Sequence, residues 1–251
     1  MEITLTTFLI VCPLVFLAGL IDAIGGGGGL ISLPAYLFAG LPAHMAVGTN
    51  KMSSACGTSV VTVRLLKNRL VDLKLSVPAI LMAIAGASVG SNIALVVPEE
   101  VFLKIMVFVL PVIAVLVLNK KIVRDDGADK IEHSVKTYIV TGIISFVVGI
   151  WDGMYGPGTG TFLIIAFTAI LKMSMKSANG LAKIVNLTTN ITSLAVFLMN
   201  GVVIVELGIV AAAFNMLGGY IGAGLAIKNG GKIIRPVILL VLVLLLIKIL
   251  L

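Results

Sequence analysis

Between residues 3 and 24 the chain runs through Leu, Ile, Val, Phe and Ala with hardly a polar interruption, and comparable runs recur as far as residue 251. About 20 such residues cross the ~30 Å hydrocarbon core of a bilayer as a helix. Hydrocarbon offers the backbone no hydrogen-bond partners, so spanning segments are helices or closed barrels. These runs are continuous rather than alternating, which selects helices. Composition agrees: 59% of residues are hydrophobic, 12% are charged and the mean hydropathy is +1.19. A soluble chain carries roughly 25% charge, so a globule in water could not be covered by what is present. The expected fold class is an all-α polytopic membrane protein.

Polar, Gly and Pro punctuation divides the chain into ten segments: 3–24, 28–40, 44–66, 75–97, 100–119, 134–154, 158–171, 176–199, 202–227 and 232–251. The second and seventh are too short to span comfortably, and each follows a break, Gly25 to Gly29 and Gly156-Pro157-Gly158-Thr159-Gly160. The first segment has no basic residues before it, so it is expected to be a retained span rather than a cleaved signal. Two repeats are expected, 1–124 and 134–251, with a charged cytoplasmic linker at 125–133. Asp22 precedes the first glycine run as Asp152 precedes the second. Lys51, Gly86 and Gly90 recur as Lys183, Gly218 and Gly222 at a constant offset of 132.

The net charge of +7 is scattered through loops, without the basic stripe and interleaved aromatics that would point to nucleic acid as a partner. If every segment crosses, fourteen of the eighteen cations fall on one side, which the positive-inside rule makes cytoplasmic. Both termini are then extracytoplasmic. Five crossings per half is an odd number, so the halves are expected to be inverted relative to each other. Inverted repeats with broken short helices are a secondary-transporter architecture.

Few ionisable groups remain at depth, where each costs at least ~2.5–3.5 kcal/mol. They are Asp22, Lys51, Asp152 and Lys183, in equivalent places in the two halves. One reading makes them salt bridges that lock the repeats together. The other makes them a central anion site, with Asp22 and Asp152 pairing the lysines or carrying a coupling proton. The two are compatible. Short helices beginning at Gly28 or Gly158 would turn free N–H groups and a positive dipole end toward an anion. The candidate binding set is Gly26, Gly27, Gly28, Gly29, Asn50, Lys51, Gly158, Thr159, Lys183 and Asn186. Thr49, Thr189 and Asn190 add polar groups nearby. The later glycines, Gly86/Gly90 and Gly218/Gly222, read as helix-crossing positions.

The glycine run lacks the strand–helix setting of a dinucleotide site and the Gly-Lys-Ser/Thr of a P-loop. With only His44 and His133, and with Cys12 and Cys56 in apolar surroundings, neither a histidine triad nor a metal site is supported. No catalytic residue, metal or cofactor is expected.

The run Ile21-Asp22-Ala23-Ile24 into the five glycines, then Leu41-Pro42-Ala43-His44 and Gly48-Thr49-Asn50-Lys51, resembles the sulfite exporter TauE/SafE family. Trp151-Asp152-Gly153, Gly156 to Gly160 and Ala182-Lys183-Ile184-Val185-Asn186-Leu187 resemble its second signature. The resemblance implies a plasma-membrane carrier of small sulfur-containing anions, such as sulfite or organosulfonates. Ala182 stands where the first half has Asn50, so the half-sites are not chemically identical. The partners implied are a small anionic substrate and the lipid bilayer, with a homodimer left open. Alternating access is expected, with proton coupling as an option. A non-transporting membrane enzyme or assembly factor and an anion channel are the alternative readings.

Overall fold

The computed structural model describes residues 3–98, 100–101, 133–234, 236–237 and 240. These residues form eight main helices: α1 (Leu5–Gly25), α2 (Gly29–Phe38), α3 (Ala43–Lys67), α4 (Leu73–Val96), α5 (Val135–Met154), α6 (Thr159–Leu171), α7 (Met175–Met199) and α8 (Val205–Asn229). Each expected segment in the described part is present, with ends displaced by at most a few residues. The expected segments 100–119 and 232–251, and the linker 125–133, lie largely outside the described residues.

Five of the helices, α1, α4, α5, α7 and α8, are long and apolar enough to cross a membrane. Their outer surface is apolar, as in the stripe Val135, Ile139, Ile143 and Val147 on α5, all exposed. An exposed apolar surface of this extent suits lipid rather than water. At ~1.5 Å per residue, α2 and α6 reach only about 15 and 20 Å, less than the hydrocarbon thickness. The 25-residue α3 is long enough but too polar to count as an apolar span.

The breaks follow from local chemistry. Gly26 ends α1 in the left-handed region, at φ 81°, and donates its N–H to the Asp22 carbonyl. Gly158 opens α6 at φ 82°, after Pro157, which has no N–H to continue a helix. Elsewhere Asp72, Ser134 and Ser174 cap the starts of α4, α5 and α7 through their side-chain oxygens.

The halves repeat in backbone detail. Positive φ occurs at Gly26 and Gly156, at Gly40 and Lys172, and at Arg69 and Gly201. After α3, Asn68, Arg69 and Leu70 donate to the carbonyls of Arg64, Leu66 and Leu65. After α7, Asn200, Gly201 and Val202 donate to Val196, Leu198 and Phe197. The offset is 130 up to the break and 132 beyond it; the two added residues fall between Gly156 and Lys172, where α6 is longer than α2.

Tight contacts join the halves in exchanged pairs. A Cβ added at Gly86 or Gly90 of α4 would strike the Phe146 or Ile150 carbonyl of α5. One added at Gly218 or Gly222 of α8 would strike the Phe16 or Leu20 carbonyl of α1. Likewise Gly48 is seated against the Val202 carbonyl and Gly180 against that of Leu70. The small-residue crossings read from the sequence are therefore present, and each lies between halves rather than within one. The loop after α3, the start of α7 and the end of α8 gather at one end of the bundle. There Arg64 stacks on Tyr220, 4.1 Å from its ring centre.

Candidate functional site

The two chain breaks touch. Thr161, in the first turn of α6, donates its N–H to the Gly26 carbonyl (3.2 Å) and its hydroxyl to that of Gly25 (2.6 Å). A side chain at Gly26 would collide with the Gly160 backbone; glycine is needed here both for the positive φ and for this approach.

Around this junction the four deep charges pair across the halves. Lys51 of α3 meets Asp152 at the end of α5, Nζ to Oδ2 2.9 Å, with 2% of each side chain exposed. Lys183 of α7 meets Asp22 at the end of α1, Nζ to Oδ2 2.7 Å, with 0% and 20% exposed. Each lysine is thus neutralised by the aspartate of the other half. The first pair is further tied: Lys51 donates to Asn190 Oδ1 (3.2 Å), and Thr159 donates its hydroxyl to Asp152 Oδ1 (2.7 Å). In the second, Lys183 donates a hydrogen bond to Asp22 Oδ2, but Asp22 Oδ1 receives only the Gly28 N–H at 3.4 Å, beyond the usual range.

A small polar cavity of about 20 Å³ opens between the pairs, on the scale of a water or two. Of the residues expected at the site, Asp22, Gly26, Gly28, Gly29, Asn50, Lys51, Asp152, Thr159 and Asn186 line it. Gly27, Gly158 and Lys183 do not, Lys183 reaching it through Asp22. Not all the glycine-break amides are available to a ligand, because the Gly26 and Thr161 N–H groups are bonded within and between the breaks. Asn50 Oδ1 is buried there without a partner.

The lining also contains Ser32, Ser54, Thr58 and Asn215, which sequence reasoning missed. Two signals were available. Asn50, Ser54 and Thr58 recur every fourth residue and so share one face of α3. Asn215 is an isolated buried amide in the apolar α8, seated so close to Gly57 and Gly19 that a Cβ at either would meet its oxygens. Among the described residues, no group of three or more His, Cys, Asp or Glu is placed to hold a metal ion.

A helical membrane bundle with two broken elements and paired charges buried around a polar cavity defines the class of polytopic membrane transporters. The profile of the family described as sulfite exporter TauE/SafE matches residues 11–249, and the chain belongs to that family. It is similar to a protein named probable membrane transporter protein ORF9 in a Sinorhizobium species, 34% identical over 94% of this chain and 89% of the relative. A probable membrane transporter protein of Haemophilus influenzae is 32% identical over 90% and 87%. The probable membrane transporter protein YfcA of Escherichia coli is 30% identical over 90% and 82%. No solved structure matches the chain. The protein is therefore a multi-pass membrane transporter and not an enzyme.

Proposed function

We propose that this transporter carries small sulfur-containing anions, of the sulfite or organosulfonate class, across the plasma membrane by alternating access. The observation that carries the reading is the exchanged pair of bridges, Lys51–Asp152 and Lys183–Asp22, at the meeting point of the two breaks. Buried charges in a bundle mark pathways and sites, and a compact lysine suits a small hydrated anion. The family's description supplies the sulfur chemistry.

In this reading the anion enters the cavity, takes Lys51 and Lys183 as its countercharges and takes hydrogen bonds from Asn50 and Asn186. The first turns of α2 and α6 add their dipoles. Two inverted repeats, 1–124 and 134–251, rock about the site. The end of the bundle bearing Arg64, Lys67, Arg69, Lys176 and Lys228 is cytoplasmic, and both termini are extracytoplasmic. The bridges then lock the halves until the site loads, which joins the locking and binding roles in the same residues.

Flux measured with purified protein in liposomes tests the site. Lys51→Ala and Lys183→Ala are each expected to lower saturable sulfite flux about tenfold or more, the loss of one charge-assisted contact. Unchanged flux in both variants would sink the proposal. Flux that neither saturates nor shows counterflow would identify a channel instead.

A further inference from the structure

The four charges of the site sum to zero. Lys51 is matched by Asp152 and Lys183 by Asp22, so an arriving anion finds no net positive charge. An uncompensated anion in a water-poor site is costly. One carboxylate must be neutralised, or an aspartate must leave its lysine and remain buried with a negative charge.

The two carboxylates are not equivalent candidates. Asp152 is enclosed: Oδ2 faces Lys51 as an ion pair, Oδ1 lies 2.7 Å from a Thr159 hydroxyl that stands equally close to the Gly156 carbonyl, and its side chain is 2% exposed. Lys51 is itself held by Asn190. In the first half the positions matching Thr159 and Asn190 are Gly29 and Thr58. Glycine has no hydroxyl to offer Asp22, and threonine has no amide. Asp22 therefore keeps Lys183 on Oδ2 and a long backbone contact on Oδ1, with 20% of its side chain open. The charged groups around it among the described residues are Lys183 from α7, Lys51 from α3 and, across Lys51, Asp152 from α5. From α2 and α8 the cavity receives only Ser32 and Asn215 as side-chain polar groups.

Resting on the anion-carrier reading above, we infer that Asp22 is the proton-carrying carboxylate of this transporter and that its protonation hands Lys183 to the anion. A proton from cavity water adds to an Asp22 carboxylate oxygen, and the bridge to Lys183 opens. Lys183 keeps its charge, so the cluster passes from zero to plus one, and one monovalent anion restores zero. Asp152 stays ionised and fixes Lys51. The loaded site carries one proton per monovalent anion and no net charge, so a pH gradient acts on loaded transport and the membrane potential does not.

Two measurements on the purified full chain test this. The first is infrared difference spectroscopy of the carboxylic-acid C=O band as pH falls from about 8 to about 4, which needs no substrate. A band that grows in wild type, vanishes in Asp22→Asn and persists in Asp152→Asn supports the assignment. If Asp152→Asn fails to fold, Lys51→Gln/Asp152→Asn replaces it, because it leaves no unpaired buried charge. A band assigned to Asp152, or no band in wild type, overturns the inference. The second is binding of methanesulfonate, whose own charge is constant over this range. Its affinity is expected to rise as pH falls, approaching tenfold per unit for one coupled proton, with the slope lost in Asp22→Asn. Binding with no slope in wild type overturns the inference while leaving the anion-carrier reading standing. If neither methanesulfonate nor sulfite binds, the substrate reading fails, and the infrared band still decides which carboxylate takes the proton.

Discussion

A lysine ammonium with 2% of its side chain exposed persists in an apolar bundle because an aspartate stands 2.9 Å away and an asparagine carbonyl accepts a second bond. Removing one partner of such a pair strands the other and costs about 3–5 kcal/mol, whereas removing both is close to neutral. Lys51→Met and Asp152→Asn are therefore each expected to destabilise strongly, and the double variant to recover most of the loss. For Lys183→Met the penalty is expected to be smaller than for Lys51→Met, because the Asp22 it strands has one-fifth of its side chain open to the cavity. Asp22→Asn strands the fully buried Lys183 and is expected to cost as much as Asp152→Asn. Thermal unfolding of the six proteins in one detergent checks the order. Equal losses for Lys51→Met and Lys183→Met would contradict the asymmetry between Asp22 and Asp152. That these charges could bridge the repeats was legible in the sequence, but which aspartate takes which lysine was not. Asp22 and Lys51 belong to one half, and nothing in their spacing says that each takes its partner from the other. That choice is made by long-range packing between residues 101 and 161 positions apart. The identity of the four charged residues was legible, because ionisable groups are so scarce within the apolar runs.

At the scale of helices, apolar length and Gly/Pro punctuation were enough to place α1 to α8 within a few residues. The reason is physical: lipid permits few alternatives to a helix, so segment and helix coincide. What punctuation could not show is which helices touch. The glycines at offset 132 marked crossings without naming partners, and both crossings prove to exchange halves, α4 with α5 and α1 with α8. These contacts are backbone against backbone, so even a methyl group forces the helices apart. Gly90→Leu and Gly222→Leu are expected to lower the unfolding midpoint by a few to about 10 °C, the scale of overpacking a close crossing. Gly142→Ala is the control, since its Cβ would meet only the flexible Met82 side chain, at 3.2 Å; a shift under about 2 °C is expected. Loss of stability in Gly142→Ala equal to that in the other two would point to a general intolerance of substitution rather than to the crossings.

For the whole molecule, the repeated φ pattern and exchanged contacts describe two like halves, and the proposed inversion says that like positions face opposite sides of the membrane. Asn68 and Asn200 make the sharpest comparison. Each follows the long third helix of its half, each is exposed, and each returns its side-chain amide to the carbonyl four residues earlier, Arg64 or Val196, at 2.8 Å. They are separated by the same 132 residues as the two buried lysines. A parallel duplication would put both on one side. An inverted one puts Asn68, among Arg64, Lys67 and Arg69, in the cytoplasm and Asn200 outside, where no cation stands nearby in sequence. Single cysteines at these positions, in a chain with Cys12 and Cys56 replaced by alanine, turn this into a measurement. In intact cells an impermeant maleimide is expected to label Asn200→Cys fully and Asn68→Cys only after the membrane is opened. Labelling of both from the same side would remove the inversion, and with it the rocking of mirrored halves about the Lys51–Asp152 and Lys183–Asp22 bridges. The reverse accessibility would keep the inversion and turn the whole molecule over, placing the basic end of the bundle outside.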